Sequence, residues 1–399
     1  MDFDIAIVGA GPIGSTLAYY LSSNKNLKIC IIDKKRNIGY PLQCAGIVNK
    51  AIINFNEIPE ELIINKVKGA YLHTDNNILK VQKEEDVAYV IDRVAYDQFL
   101  FKRAINKGVQ FINQKVTDVD LDNGIITFAN NEKISSKIVV GADGYKSEVS
   151  KSFGNAPETF NASQLLVKIS DEAINSYRQA NNEDFNDYVD TYVHQDIFPG
   201  FLWIIPTEDN LFRIGLFSNH DYKQQNQILD SFLENNFKNK DISVLEKYKG
   251  AIPIFSQNHK LVEKRGLLVG DAACEIKPTT GGGLILGFDA CKIASDIIIK
   301  AINQNNIDLL NEYPKKFYKK YLKELKYQFK VQKTLNIFSN EDLDYFFIKL
   351  KENNCEQLIS EYGDMDSQSI LVKEIIKRGI LFKIIPSFFI KKVSRIFGF

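Results

Sequence analysis

A glycine-rich turn near the amino terminus constrains the fold of this chain more than any other feature. Gly9, Gly11 and Gly14 form a G-x-G-x-x-G pattern between the apolar run 3–8 and a helix-forming run. Such a turn is tight at Gly9, lets a pyrophosphate approach the backbone at Gly11, and packs helix against strand at Gly14. Asp33 ends the next apolar run, 19 residues beyond Gly14, where a carboxylate binds ribose hydroxyls. These residues predict a dinucleotide site on a doubly wound sheet.

The rest of the pattern divides the 399 residues into a discontinuous cofactor domain, an inserted domain and a C-terminal region. Residues 1–155 and 256–305 carry the buried strands and helices of an α/β domain. Residues 156–255 alternate apolar and polar side chains, which is typical of an antiparallel sheet. Residues 306–399 are rich in lysine and have helical periodicity. The predicted fold is a Rossmann-like α/β domain with an inserted antiparallel-sheet substrate domain and a helical C-terminal extension.

Composition excludes several classes of protein. The 50 basic and 50 acidic residues balance, so nucleic acid is not an expected partner. The five cysteines are odd in number and form no CxxC pair, which argues against a disulfide framework or any metal site and favours the cytoplasm. The first apolar run is too short for a signal peptide, and no stretch has the roughly 18 to 20 apolar residues of a spanning helix. Any membrane contact is expected from the surface.

Two later segments distinguish among dinucleotides. The segments GADGYKS and LVGDAA resemble the DG and GD segments of the para-hydroxybenzoate-hydroxylase-like flavoproteins. The resemblance implies FAD as the cofactor, with Asp143 in the DG segment and with Asp271 on the ribityl chain. It also implies that the helix after the run TTGGG directs the amides of Gly283 and Leu284 at the flavin. The positive end of a helix dipole there would stabilise the negative charge of a reduced flavin.

Two further FAD contacts follow from position in the same flavoproteins. Arg93 begins the segment RVAYDQFL, which resembles a segment whose arginine reaches FAD, although Tyr96 replaces the usual Phe or Leu. The alternative is that Arg93 pairs with Asp97 on the same face of one helix. Val116 lies on the strand pair whose backbone touches adenine in such proteins, and its assignment is positional.

Two short motifs narrow the resemblance to the geranylgeranyl reductase family. The segment PLQCAG matches the P-x-x-C-x-G motif of that family and places Cys44 and Ala45 beside the flavin. The segment GFLWIIP, followed by Gly215, is similar to the family pattern G-Y-x-W-x-F-P…G, with Phe for Tyr and Ile for Phe. The resemblance implies Cys44 as the catalytic residue and Trp203 and Pro206 as substrate contacts. The alternative is that Cys44 and Trp203 only pack.

The family resemblance implies an FAD-dependent reductase that saturates the double bonds of a geranylgeranyl lipid by hydride transfer from reduced flavin. The expected partners are an isoprenoid lipid held in an apolar tunnel and an electron donor, either reduced ferredoxin or NAD(P)H. One alternative is an FAD-dependent monooxygenase or halogenase acting on an aromatic or polyene substrate. Another is a non-catalytic flavin-binding or lipid-carrier protein. Residues 380–399 mix Phe and Ile with Lys and Arg, which predicts either peripheral contact with an anionic membrane or a cover over the substrate domain.

Overall fold

Runs of Ile, Val and Leu form the central strands, and helices with one apolar face cover them. The computed structural model describes residues 1–181, 184–237, 242–384 and 395–396. The strands in this part of the chain are β1 Phe3–Val8, β2 Ile29–Ile32, β3 Ile47–Asn49, β4 Ile63–Val67, β5 Gly69–His73, β6 Ile78–Gln82, β7 Ala88–Ile91, β8 Gln110–Ile112, β9 Val116–Asp120, β10 Ile125–Phe128, β11 Lys133–Gly141, β12 Thr159–Ile169, β13 Tyr188–Tyr192, β14 Leu202–Pro206, β15 Leu211–Ser218, β16 Ile242–Pro253, β17 Val262–Glu263 and β18 Gly266–Leu268. The α-helices are α1 Pro12–Leu21, α2 Arg93–Ile105, α3 Glu148–Ser152, α4 Asp171–Ala180, α5 Tyr222–Asn236, α6 Leu284–Asn303, α7 Glu312–Leu335, α8 Asn340–Glu352, α9 Cys355–Tyr362, α10 Ser369–Lys377 and α11 Leu381–Ile384.

The cofactor-type sheet has the strand order β17-β18-β11-β1-β2-β8. Its central strands are parallel, because β1 pairs in parallel with both β2 and β11, and β18 pairs in parallel with β11. Every residue of β2 is buried, which explains the continuous apolar run in the sequence. The strand β18 returns the chain to this sheet after the insertion. The structure thus confirms the predicted mixed α/β class with parallel and antiparallel sheets.

The antiparallel sheet has the order β16-β12-β15-β14-β13-β5-β6. Its strand β12 alternates, so that Leu165 and Val167 pack under α4 and α5 while Gln164 faces the opposite side. The strands β5 and β6, residues 69–82, also belong to this sheet, because β5 pairs in parallel with β13. These residues lie outside the range 156–255 that the sequence predicts for the substrate domain. The sequence shows that a segment is a strand but does not encode a distant pairing partner.

The helices α7 to α11 form the C-terminal region, as the helical periodicity predicts. Phe347, Leu350 and Cys355 of this region pack against Leu79 of β6 in one buried cluster. Ile384 is buried in the same cluster, so the beginning of the segment expected at a membrane packs against the fold. Its residues 385–394 and 397–399 lie outside the described part of the chain. No helix among the described residues is both long enough and apolar enough to cross a bilayer.

Candidate active site

A cavity of about 1770 Å³ is lined by residues of both large sheets and of the C-terminal helices. One part of the lining, called the cofactor part, consists of the glycine-rich turn, Asp33 and the segments around Asp143 and Asp271. The rest, called the apolar part, is mostly apolar and comes from strands of the antiparallel sheet and from the helices α7 to α11. Sites for one small molecule usually have about 300 to 1,000 Å³. The cavity is therefore larger than a site for one small molecule needs.

The glycine-rich turn is packed at two of its glycines and open at the third. Gly9 has a φ of +105°, and a Cβ there would lie 2.3 Å from the carbonyl oxygen of Ala142. A Cβ on Gly14 would lie 1.9 Å from the carbonyl oxygen of Gly9. A Cβ on Gly11, in contrast, would meet no atom of the described residues within 4 Å, its chain neighbours aside. Gly11 is also the N-cap of α1 and provides no side-chain cap, so the helix N-terminus is open to an anion such as a pyrophosphate.

Asp33 lies directly after β2 and braces this turn. Its Oδ2 accepts a hydrogen bond from the Ala10 amide at 2.9 Å, and its Oδ1 accepts one from the Lys35 amide at 2.8 Å. A carboxylate has about four acceptor positions, so Asp33 keeps acceptor capacity for ribose hydroxyls. Val116, at the start of β9, lines the same part of the cavity.

Asp143 carries an acceptor that has no partner. Its Oδ2 accepts from the Glu148 amide at 2.8 Å, whereas its Oδ1 is buried without a hydrogen-bond partner among the described residues. Burial raises the pKa of this carboxyl to about 6. Because buried polar atoms are nearly always hydrogen-bonded, an unpaired oxygen that lines a cavity indicates a place where a ligand donates.

Arg93 lines the cavity and also pairs with Asp97. The ion pair that the sequence offered as the alternative to an FAD contact is therefore present. Its Nη2 lies 3.1 Å from Oδ1 of Asp97, one helical turn away in α2. Asp271 lies in a short 3-10 helix, Gly270–Ala273. Burial raises the pKa of Asp271, and the nearby positive charge of Arg93 opposes that shift. Arg93 therefore connects the start of α2 electrostatically with the GD segment.

Helix α6 begins at Leu284 with Gly283 as its N-cap, and no side chain caps it. The first amides of a helix have no partner within the helix, and both residues line the cavity. A Cβ on Gly283 would lie 3.4 Å from Oδ1 of Asp271, so the helix N-terminus and this carboxylate adjoin. The open turn, the ribose carboxylate, the unpaired Asp143 oxygen and this helix end together fit FAD.

Cys44 lines the cavity and is half-buried, whereas the other four cysteines are buried. The Gly46 amide donates to its Sγ at 3.4 Å. Gly46 has a φ of +77°, and a Cβ there would lie 1.8 Å from Nη1 of Arg213. That arginine donates to the carbonyl oxygen of Ala45 at 2.9 Å. The glycine of the P-x-x-C-x-G motif is thus required by a side chain from a distant strand.

Trp203 both lines the cavity and packs, because it is 8% exposed and adjoins the apolar lining residues Phe201 and Ile205. Its Nε1 donates to Oε1 of Gln164 at 3.1 Å. Pro206 is buried at the end of β14 but does not line the cavity. Alternate residues of a strand point to opposite faces, so Trp203 and Ile205 face the cavity and Pro206 does not. The predicted substrate contact of Pro206 is therefore not supported by the geometry.

Sequence reasoning missed the C-terminal part of the lining and the two polar side chains behind Cys44. Gln164 and Arg213 belong to no local motif, and only the pairing of β12 with β15 brings them to the same loop. The helical spacing of the apolar C-terminal side chains indicates a buried helix face. This spacing was the sequence signal from which their place in the lining could have been predicted. The apolar lining residues from these helices are Val331, Leu335, Phe346, Phe347, Leu350, Ile359, Leu371, Val372, Ile375, Leu381 and Ile384.

A family model described as lycopene cyclase protein matches residues 4–350, which places the chain in that family. A digeranylgeranylglycerophospholipid reductase from Methanocaldococcus jannaschii is 31% identical over 359 residues, which cover 86% of this chain and 89% of the reductase. The chain belongs to the geranylgeranyl reductase family. It is accordingly an FAD-dependent oxidoreductase.

Solved structures agree with the fold of this geranylgeranyl reductase family member. A geranylgeranyl bacteriochlorophyll reductase-like protein from Thermoplasma acidophilum superposes with a TM-score of 0.82 at 24% identity, over 99% of both chains. A halogenase crystallised with FAD superposes with a TM-score of 0.67 at 16% identity, over 95% of this chain and 84% of the halogenase. At these identities the structures support the shared architecture of the sheets and helices.

Proposed function

We propose that this family member saturates the double bonds of a geranylgeranyl chain carried by a lipid, with hydride transfer from reduced FAD. The proposal rests on one observation: the same cavity is lined by the glycine-rich turn and by many apolar side chains of the antiparallel sheet and the C-terminal helices. A polyprenyl chain has no polar groups, so burial of apolar surface provides its binding free energy, about 25 cal/mol per Å². A mostly apolar lining in the same cavity as a flavin site suits such a substrate better than a compact aromatic one.

The chain's own residues hold the cofactor and the substrate in this proposal. Bound FAD, once reduced, supplies the hydride. Gly11 and Asp33 bind the pyrophosphate and a ribose, and Asp271 binds the ribityl chain. Trp203 and its apolar neighbours orient the polyprenyl chain and exclude water, which keeps the reacting bond close to the cofactor part of the cavity.

Cys44 is the proposed proton donor. Reduction of an isolated double bond needs a hydride at one carbon and a proton at the other. Cys44 lines the same cavity as the cofactor part and the apolar part, so its thiol can hold the proton for the second carbon. A general acid of this kind acts within hydrogen-bond reach of its target.

The decisive experiment is anaerobic incubation of chemically reduced protein with geranylgeranyl lipids, followed by mass spectrometry. A free diphosphate and a glycerophospholipid ether should be tested side by side. We expect mass gains of two hydrogen atoms for each double bond reduced, and no gain with oxidised protein. Absence of any gain with every lipid tested would refute the proposal. Replacement of the chemical reductant by reduced ferredoxin or by NADPH then identifies the electron donor.

A second candidate function is hydroxylation or halogenation of an aromatic or polyene substrate. It is favoured by the fold shared with an FAD-binding halogenase. Oxygen uptake that depends on an aromatic substrate, with or without halide, distinguishes it, because the proposed reduction proceeds without oxygen.

A further inference from the structure

Two side chains of the antiparallel sheet hold the main chain on either side of Cys44. Nε2 of Gln164, in β12, donates to the carbonyl oxygen of Cys44 at 3.3 Å. Nη1 of Arg213, in β15, donates to the carbonyl oxygen of Ala45 at 2.9 Å and to that of Ile91 at 3.2 Å. The Cys44 loop is therefore anchored to the substrate-side sheet, although it follows the cofactor-side strand β2 in the chain.

The orientation of the Gln164 amide is determined by its other partner. The indole Nε1 of Trp203 is a donor only, so the atom of Gln164 that faces it at 3.1 Å has to be the acceptor Oε1. Nε2 then points at the Cys44 carbonyl. Gln164 is 6% exposed and lines the cavity. It thus links the apolar wall at Trp203 directly to the Cys44 loop.

Burial of the charged Arg213 guanidinium has a high free-energy cost. It is 7% exposed, and unlike Arg93 it forms no ion pair with a carboxylate of the described residues. Burial lowers its pKa, although a guanidinium in this environment stays charged. A buried charge without a counter-ion is destabilising unless hydrogen bonds compensate for its lost hydration. Both of its hydrogen-bond acceptors are carbonyls that define the Cys44 loop and the end of β7.

We propose that Gln164 and Arg213 are positioning residues that hold the Cys44 loop in place beside the cavity, with Trp203 as the outer member of the Gln164 contact. The functional part of this inference rests on the proposed reduction, in which Cys44 donates the proton. The positional part rests on the hydrogen bonds alone. The two parts can be measured separately.

The positional part is tested by alkylation of Cys44 with iodoacetamide in FAD-loaded protein, followed by peptide mass spectrometry. Gln164→Met removes the contact to the Cys44 carbonyl without changing charge. Arg213→Lys keeps the positive charge, but the lysine side chain is shorter, so its ammonium falls short of the two carbonyls to which Nη1 of Arg213 donates. Since a lost hydrogen bond of this kind shifts a local opening equilibrium by roughly three- to tenfold, we expect Cys44 alkylation to accelerate by that factor in each variant.

The matched control is Gln225→Met. Gln225 is also buried and donates from its Nε2 to a β12 carbonyl, that of Asn161, at 2.8 Å, but it does not line the cavity. Its variant should unfold at a lower temperature while Cys44 alkylation stays at the wild-type rate. Trp203→Phe provides a second test if Gln164→Met does not fold, and it should accelerate alkylation relative to the wild type because it removes the donor that orients the Gln164 amide.

Alkylation rates of Gln164→Met and Arg213→Lys within about twofold of the wild type would overturn the inference, whatever the catalytic activity is. The kinetic part uses the same variants with a geranylgeranyl lipid. We expect a lower kcat with little change in KM, because the apolar wall that binds the chain remains. If the wild type reduces no lipid although the variants expose Cys44, the proposed function fails while the positioning role stands.

Discussion

The contrast between Gly11 and Gly14 provides a sharp test of the cofactor site. The backbone of Gly11 has φ −65° and ψ −177°, which any residue can adopt, and a Cβ there points into open space. Gly14 lies in α1 close to the carbonyl oxygen of Gly9, and a Cβ on Gly14 would lie 1.9 Å from that oxygen. Gly11→Ala should therefore affect the ligand, and Gly14→Ala should affect the fold.

The two substitutions have opposite effects on the flavin-free protein. Replacement of Gly by Ala where the backbone is compatible stabilises by about 0.4 to 1 kcal/mol, because the unfolded chain loses freedom. Gly11→Ala without FAD should match or slightly exceed the wild type. Overpacking at Gly14 should lower the free energy of unfolding by about 1 to 3 kcal/mol, with or without FAD. FAD at a hundredfold excess over its Kd stabilises the wild type by about 2.7 kcal/mol, and Gly11→Ala should lose most of that gain.

The assay is urea unfolding of deflavinated wild type, Gly11→Ala and Gly14→Ala, each with and without added FAD. The signature is an FAD-dependent increase in the unfolding midpoint that is present in the wild type and nearly absent in Gly11→Ala. If FAD stabilises Gly11→Ala as strongly as the wild type, the pyrophosphate does not approach the backbone there. If Gly11→Ala without FAD is clearly less stable than the wild type, a Cβ on Gly11 does not point into open space.

The remaining predictions concern other parts of the molecule. Asp271→Ala should lower the FAD content of purified protein, measured by absorbance, whereas Asp289→Ala, which removes a buried carboxylate outside the cavity lining, should not. Cys44→Ala should slow lipid reduction more than it weakens FAD binding, and equal turnover would leave Cys44 with packing alone. Burial raises the pKa of Glu275 to about 8, so the folded protein holds a proton that the unfolded chain releases. Stability should therefore decline between about pH 5 and pH 8, and Glu275→Gln should flatten that decline in urea titrations at the two pH values. Deletion of residues 385–399, the part of the predicted membrane segment 380–399 that follows the buried Ile384, should abolish sedimentation with anionic vesicles without loss of FAD. Unchanged sedimentation would refute the predicted peripheral membrane contact.

The cofactor half of the site was predictable because its determinants are local. Gly9, Gly11 and Gly14 lie within six residues of one turn between a strand and a helix. The packing of the turn requires Gly9 and Gly14, and Gly11 leaves open space at the helix N-terminus. Asp33 follows at the end of the next strand. In an α/β sheet the carboxyl ends of neighbouring parallel strands meet at one edge, so the spacing along the sequence already places these groups together.

The substrate half was predictable only where a motif was contiguous. The period-two alternation of β14 directs Trp203 to the cavity and Pro206 away from it, but the motif treats both positions alike. The strands β5 and β6 join the antiparallel sheet through a pairing with β13 that spans more than a hundred residues. A strand pattern in the sequence indicates that a segment pairs with another strand, but it does not indicate which strand.

The surroundings of Cys44 were decided by tertiary structure alone. Gln164 is 120 residues from Cys44 along the chain, and Arg213 is 168 residues from Ala45. Each looks in the sequence like one more polar residue in an alternating strand. The role of each side chain depends on which carbonyl lies opposite it. The packing of the antiparallel sheet against the loop after β2 determines which carbonyl that is. Short-range geometry is therefore readable from the sequence, whereas hydrogen bonds between distant segments exist only once the sheets have assembled.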